Sequence, residues 1–262
     1  MCLDDDRMNK ISAVKYEPKI KSWPKEFADK LPLNEAFLSF QGEGRYIGQP
    51  ALFLRFNYCN LGCSWCDTRF TWDSDLIEED QLLSVNEITE LSTKLLKSHH
   101  LEPANVHVVL TGGEPMLHQG RLPALIIQMR ELGFNFFEIE TNGMYKPSLA
   151  MIDSIDWWNC SPKLSNNGLA QSVNVVPDAI SSIYATGKAD FKFVVDSADD
   201  IAEIKEYYLP LIAAESIILM PEGFTRKKQI SNMATVNQLA LQNGYRFSPR
   251  LQILIWGNER KK

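Results

Sequence analysis

The sequence predicts an α/β fold built around a parallel sheet, and three features of the 262-residue chain carry that reading. Short apolar runs alternate with segments of helical periodicity. Polar or glycine-rich clusters follow directly after the apolar runs. The length suffices to bury one full core. Strand–helix alternation implies parallel strands covered by helices, and ligand sites in such folds gather at the carboxyl ends of the strands.

Residues 1–31 are charged, with scattered Trp23 and Phe27 and no clear periodicity. They read as an N-terminal extension, and 32–262 as one domain. Residues 51–56 form the first expected strand, which delivers the chain to Cys59. Ser84-Val85-Asn86-Glu87 has the form of a capping box, and Val85, Ile88, Leu91 and Leu95 follow at helical spacing. A short apolar strand is expected over 106–110. Leu122, Leu125, Ile126 and Met129 mark a second helix ended by Gly133. The next strand covers 135–140, with Asn142-Gly143 as its turn. Further strands are expected over 157–160, 191–195, 216–220 and 251–256, with helices around 201–208 and 230–241. Periodicity alone leaves an open doubly wound sheet and a full or partial barrel as alternatives.

The polar clusters begin at Cys59, Thr111, Thr141, Ser161 and Pro221. Each follows an apolar run, so together they would form one rim and one site. The formal net charge of -6 gives no long-range attraction to nucleic acid or to an anionic membrane. Met1–Asp6 lacks the apolar stretch of a secretory leader, and no apolar run is long enough to span a bilayer. Five cysteines, three of them crowded into eight residues, do not form a secreted disulfide framework. The cytoplasm is the expected compartment, and clustered thiols there point to metal or redox chemistry.

Cys59-Asn60-Leu61-Gly62-Cys63-Ser64-Trp65-Cys66 has the spacing C-x3-C-x2-C. Three thiolates on one loop can hold three corners of an iron–sulfur cube, which leaves the fourth iron open to a small ligand. A structural zinc site is the alternative, in a non-enzymatic binding module. It requires four protein ligands, and the nearest histidines, His99 and His100, fall in a distant helix-like stretch. Cys2 and Cys160 read as ordinary thiols.

The cysteine spacing, together with Leu110-Thr111-Gly112-Gly113-Glu114-Pro115, resembles the radical S-adenosylmethionine (SAM) superfamily. Within it the chain is similar to the 7-carboxy-7-deazaguanine synthase family of queuosine precursor biosynthesis. Asn34-Glu35, Ser39-Phe40-Gln41-Gly42-Glu43-Gly44, Gly48-Gln49-Pro50-Ala51 and Phe53-Leu54-Arg55-Phe56 carry that resemblance. So do Cys66-Asp67-Thr68, Glu140-Thr141-Asn142-Gly143 and Ser161-Pro162-Lys163. A glycyl-radical activating enzyme shares the cysteine spacing and is the second enzyme reading. The Gln-Gly-Glu-Gly and Cys-Asp-Thr segments argue against it.

The resemblance implies a partial, open β/α barrel of the radical SAM type. It implies that 6-carboxy-5,6,7,8-tetrahydropterin is contracted to 7-carboxy-7-deazaguanine with release of ammonia. The implied cofactors are a [4Fe–4S] cluster on Cys59, Cys63 and Cys66, SAM, and a magnesium ion on Thr68. Arg55, Glu43 and Glu140 would serve the chemistry, and Phe40, Gln41, Gly42, Arg55 and Thr111 would contact substrate. Trp65, Asp67, Gly113, Glu114, Ser161, Pro162, Lys163, Pro221 and Glu222 would surround SAM. The chemistry of these residue types agrees: an arginine can grip a carboxylate with two parallel hydrogen bonds, and a glutamate can accept from an ammonium. Taken singly, Thr68 reads as a turn-capping hydroxyl, Arg55 as a surface ion pair, and Glu43 as part of a solvated turn. A flavodoxin-type electron donor and a homodimer are further implications. Two departures stand out. The chain has Leu251-Gln252 where family members often carry Leu-His, and residues 258–262 form a charged tail.

Overall fold

The computed structural model describes residues 30–73, 75–76 and 81–262. The expected extension lies outside them, except for Lys30 and Leu31, which already belong to the first strand. The strands are β1 (Lys30–Phe40), β2 (Pro50–Phe56), β3 (Gln81–Ser84), β4 (His107–Gly112) and β5 (Phe137–Thr141). They continue with β6 (Trp157–Cys160), β7 (Ala189–Val195), β8 (Ile217–Pro221) and β9 (Arg246–Phe247). They make one sheet in the order β3-β1-β2-β4-β5-β6-β7-β8-β9. From β2 to β9 every pairing is parallel, whereas β1 runs antiparallel to both β2 and β3. The two ends of the sheet do not pair with each other. The result is the open β/α barrel that the resemblance implied.

The helices are α1 (Val85–Ser98), α2 (Leu122–Glu131), α3 (Leu149–Ser154), α4 (Gln171–Asn174) and α5 (Pro177–Tyr184). They end with α6 (Ala198–Tyr207), α7 (Arg226–Asn243) and α8 (Leu251–Trp256). The capping box at the start of α1 is formed: Glu87 N donates to Ser84 Oγ at 3.3 Å, and Ser84 N donates to Glu87 Oε2 at 2.7 Å. α2 ends one residue before Leu132 and Gly133, where Gly133 takes the left-handed backbone that turns the chain. The central parallel strands are apolar on both faces, as helix-covered strands must be. All five residues of β8 are buried. Leu52, Leu54, Phe137, Phe191 and Phe193 are fully buried, each stabilising the fold by about 1.5–3 kcal/mol. One residue breaks the pattern: Lys192, in the middle of β7, has no exposed side-chain surface.

Three expectations need correction. Residues 251–256 are the helix α8, not a strand. Six apolar-rich residues fit either period, and here Leu251 N donates to Gly42 O at 2.9 Å, while Arg226 donates to the carbonyls of Leu254 and Ile255 at 2.7 and 2.6 Å. The strand before it is only the pair Arg246–Phe247. β5 starts later than expected because Arg130 takes the Asn135 carbonyl at 3.0 Å, and Phe137 N donates to Asp156 Oδ2 at 2.8 Å. The antiparallel edge formed by β1 and β3 was not anticipated, since residues 30–40 read first as extension and then as motif. Among the described residues no helix is long and apolar enough to cross a membrane.

Candidate active site

A cavity of about 290 Å3 opens at the carboxyl ends of the parallel strands, near the lower end of the range for small-molecule sites. Cys59, Cys63 and Cys66 all face it, and none of them is in a disulfide. Their loop leaves β2 through Tyr58, whose φ of 76° places a bulky side chain in left-handed backbone. Such a conformation is uncommon and persists where the surroundings impose it. Tyr58 N donates to Thr71 O at 2.7 Å, and Tyr58 O accepts from Glu114 N at 2.7 Å. Gly113 N donates to Phe56 O at 3.0 Å. A Cβ on Gly112 would lie 2.1 Å from Phe56 O, and one on Gly113 would lie 2.1 Å from Tyr58 O. The two glycines therefore let the β4 loop press against the chain that presents Cys59.

Each sulfur receives an N–H. Leu61 N donates to Cys59 Sγ at 3.4 Å, Asn167 Nδ2 to Cys63 Sγ at 3.6 Å, and Trp72 Nε1 to Cys66 Sγ at 3.2 Å. Hydrogen bonds to ligating sulfurs tune the potential of an iron–sulfur centre. Burial pushes the Cys59 and Cys63 thiols above their ordinary range, so binding a metal must expel their protons. Among the described residues, no three His, Cys, Asp or Glu side chains converge closely enough for a single ion. Three thiols from one loop lining the cavity are the donor set of a cube held at three corners. His99 and His100 sit exposed just beyond α1 and do not line the cavity.

Glu114 is 1 % exposed and turned inward. Its carboxylate accepts from Met116 N at 2.9 Å, Thr141 Oγ1 at 2.7 Å and Asn142 N at 2.7 Å, so it ties the loop after β4 to the loop after β5. Burial raises its pKa, against those donors.

Another part of the lining is built from charged side chains. Lys192 Nζ lies 3.1 Å from Glu43 Oε2 and 2.7 Å from Glu140 Oε2. Arg250 pairs with Glu43 at 3.0 Å and also with Asp67. Gln41 donates to Glu138 Oε2 at 3.0 Å and to Glu140 Oε1 at 3.2 Å. Gln252 Nε2 donates to Glu43 Oε1 at 2.8 Å, while its buried Oε1 has no partner. A Cβ on Gly42 would sit 1.9 Å from that oxygen. Burial pushes Glu43 upward, but Lys192 and Arg250 together hold it well below the carboxylate range. Among the described residues Glu140 pairs with Lys192 alone, and burial, aided by the Glu43 charge, pushes it up to about 7.

The cavity thus brings together Phe40, Gln41, Gly42, Glu43, Arg55, Trp65, Asp67, Thr68, Thr111, Gly113, Glu140, Ser161 and Lys163 with the three cysteines. Arg55 is not a surface ion pair: it faces the cavity and donates to the buried Glu35 at 3.1 Å. Lys163 Nζ donates to Ser161 Oγ at 2.9 Å and lies 5.5 Å from the Trp65 ring centre. Trp65 packs against Val194, Ile218 and Met220. Glu114, Pro162, Pro221 and Glu222 do not line the cavity, and Glu222 lies 3.5 Å from Lys228. Sequence reasoning missed Lys192, Arg250 and Glu35. Lys192 carried a signal as a lysine inside the apolar run Phe191–Val195, and Glu35 sat in the Asn34-Glu35 segment of the resemblance without being given a role.

A family model for a 4Fe-4S single cluster domain matches residues 40–155, the stretch containing the cysteine loop and the Gly-Gly-Glu run. The 7-carboxy-7-deazaguanine synthase of Pyrobaculum aerophilum is 36% identical over 231 residues, covering 87% of this chain and 96% of its own length. The chain belongs to the 7-carboxy-7-deazaguanine synthase family. The synthase of Halobacterium salinarum is 32% identical, with 87% of this chain and 91% of its own covered. The crystal structure of QueE from Escherichia coli matches with a TM-score of 0.64 and 25% identity, over 85% of this chain and 94% of that one. Membership in this radical SAM family replaces both the zinc-module and the glycyl-radical-activase readings.

Proposed function

We propose that this chain converts 6-carboxy-5,6,7,8-tetrahydropterin to 7-carboxy-7-deazaguanine, with one ammonia released per turnover. The observation that supports this most is the pairing, in one cavity, of three unpaired cysteines with a wall of carboxylates and amides suited to a flat, donor-rich ring. Cys59, Cys63 and Cys66 would hold a [4Fe–4S] cluster, and Gly113, Ser161, Lys163, Trp65 and Asp67 would border SAM. When bound, the cluster and SAM supply the one-electron and hydrogen-atom chemistry that begins the rearrangement.

The chain's own residues then bind, orient and shield. Glu43, kept ionised by Lys192 and Arg250, accepts hydrogen bonds from the amino edge of the pterin. Glu140 completes that edge. Gly42 leaves room for Gln252, whose buried Oε1 lies against it and whose Nε2 holds Glu43 in place at 2.8 Å, and Thr111 and Phe40 close the sides of the ring. Arg55 takes the substrate carboxylate. Glu114, Pro162, Pro221 and Glu222 shape the rim from behind. Thr68, whose hydroxyl lies 3.6 Å from Cys66 Sγ, would offer the hard oxygen donor that a magnesium ion selects. The full set also includes a flavodoxin-type one-electron donor, a homodimer, and a cytoplasmic setting that keeps the thiols reduced.

Anaerobically reconstituted protein, given SAM, reductant, magnesium and the carboxypterin, is expected to yield the deazaguanine acid and ammonia, with SAM not consumed in proportion to product. An intact cluster with no such product by mass spectrometry would overturn this assignment.

A further inference from the structure

The segment after α8 returns over the cavity, and its side chains form one end of it. Arg260 Nε donates to Glu35 Oε1 at 2.7 Å, and Arg55 Nε donates to the other oxygen, Glu35 Oε2, at 3.1 Å. Glu35 itself is 4 % exposed. Phe70 lies between the two cations: the Arg260 guanidinium is 4.0 Å from its ring centre and that of Arg55 is 6.0 Å away. One buried carboxylate therefore positions two guanidinium groups on an aromatic floor completed by Phe37 and Phe53.

The distribution of charge gives the cavity a direction. At the Glu35 end, two cations face one carboxylate, and the tail adds Lys261 and Lys262 against Glu259. In the second, separate cluster, Lys192 and Arg250 face three carboxylates, Glu43, Glu140 and Asp67. An anionic group is favoured at the first end and a donor-rich ring edge at the second. Guanidinium groups attract a carboxylate by their permanent charge and charge-assisted N–H donation, and prior fixing by Glu35 reduces the ordering that binding would otherwise require.

We propose that Arg260 is a second carboxylate-binding residue, forming with Arg55 a paired clamp that selects substrates carrying an anionic substituent. The proposal rests on the pterin reading above. It assigns to the charged tail a part in specificity, and it orients the ligand with its carboxylate toward Arg55 and Arg260 and its amino edge toward Glu43 and Glu140.

The test uses reconstituted holoenzyme with SAM and magnesium, reductant withheld so that no turnover occurs. Dissociation constants are measured by anaerobic calorimetry for 6-carboxytetrahydropterin and for tetrahydropterin lacking the carboxylate. Wild type is expected to favour the carboxylated ligand. Arg260→Gln should weaken that ligand about tenfold, the scale of losing one charge-assisted contact, and leave the other within about twofold. Arg260→Lys should recover part of the loss, with iron content unchanged in both variants. A loss shared equally by both ligands, or no loss while wild type still discriminates, would overturn the clamp alone. Failure of wild type to bind either pterin would overturn the pterin reading and the clamp together.

Discussion

The cysteine loop and the charged wall line one cavity, meeting at Asp67, and are held in opposite ways. The loop is fixed through backbone: Tyr58 in left-handed conformation, hydrogen bonds to Phe56 and Tyr58 carbonyls, and glycines whose hydrogens touch those same carbonyls. The wall is fixed through side chains: Glu43, Glu140 and Asp67 are shared between Lys192 and Arg250. Backbone contacts place a metal ligand regardless of pH or ionisation. An ion network places polar groups and also sets which of them are charged. The first suits a permanent cofactor anchor, and the second suits recognition of a ligand by its protonated edge.

The loop breaks most completely at its sulfurs. Cys63→Ala is expected to abolish both the brown iron–sulfur absorption and the activity, while the fold survives in far-ultraviolet circular dichroism. Lys192→Met tests the wall. It leaves Glu140 without its cation beside Glu43, which keeps Arg250, and breaking a buried pair of this kind costs about 3–5 kcal/mol in urea denaturation. Adding Glu140→Gln to that variant should recover part of the loss, since one stranded charge is removed. Gly113→Ala sharpens the contrast from the other side. Its Cβ has no room beside Tyr58 O, so stability should fall by about 2 kcal/mol, and iron content should fall with it while the ion network stays intact.

The legible part of the site follows the same division. The cysteine loop is contiguous, so its spacing stated both its chemistry and its location after β2. The Gly-Gly-Glu run was legible for the same reason, although its glycines proved to accommodate the Tyr58 backbone and its glutamate turned inward. The wall draws on Glu43, Asp67, Glu140, Lys192 and Arg250, separated by up to 207 positions between Glu43 and Arg250. No local pattern links them. Glu43, Asp67 and Glu140 were named through the motif segments that hold them, whereas Lys192 and Arg250 lie outside every motif, and of those two only Lys192 stands out, as a lysine in an apolar strand. The parallel strands β2 and β4 to β8 were legible because buried parallel strands read as apolar runs, whereas α8 was misread because six apolar-rich residues carry no decisive period.

Smaller effects probe ionisation within the wall. Glu140 is raised from its ordinary 4.5 to about 7, so it is largely protonated below that value and a carboxylate above it. Because the substrate edge offers donors, kcat/KM should climb as pH rises through about 7, and Glu140→Gln should remove that limb. For stability the sign is opposite. A raised carboxylate pKa contributes below 4.5 and loses that contribution as pH rises to about 7. Smallest of all, Gln252→Ala should raise KM severalfold, in keeping with about 1 kcal/mol for one neutral hydrogen bond.

The most direct test of the central claim is iron and sulfide analysis of oxygen-free wild-type protein, followed by electron paramagnetic resonance of the reduced cluster with and without SAM. The account predicts a single four-iron, four-sulfide centre per chain whose signal changes when SAM is added. Zinc in place of iron, or a four-iron signal indifferent to SAM, would contradict it.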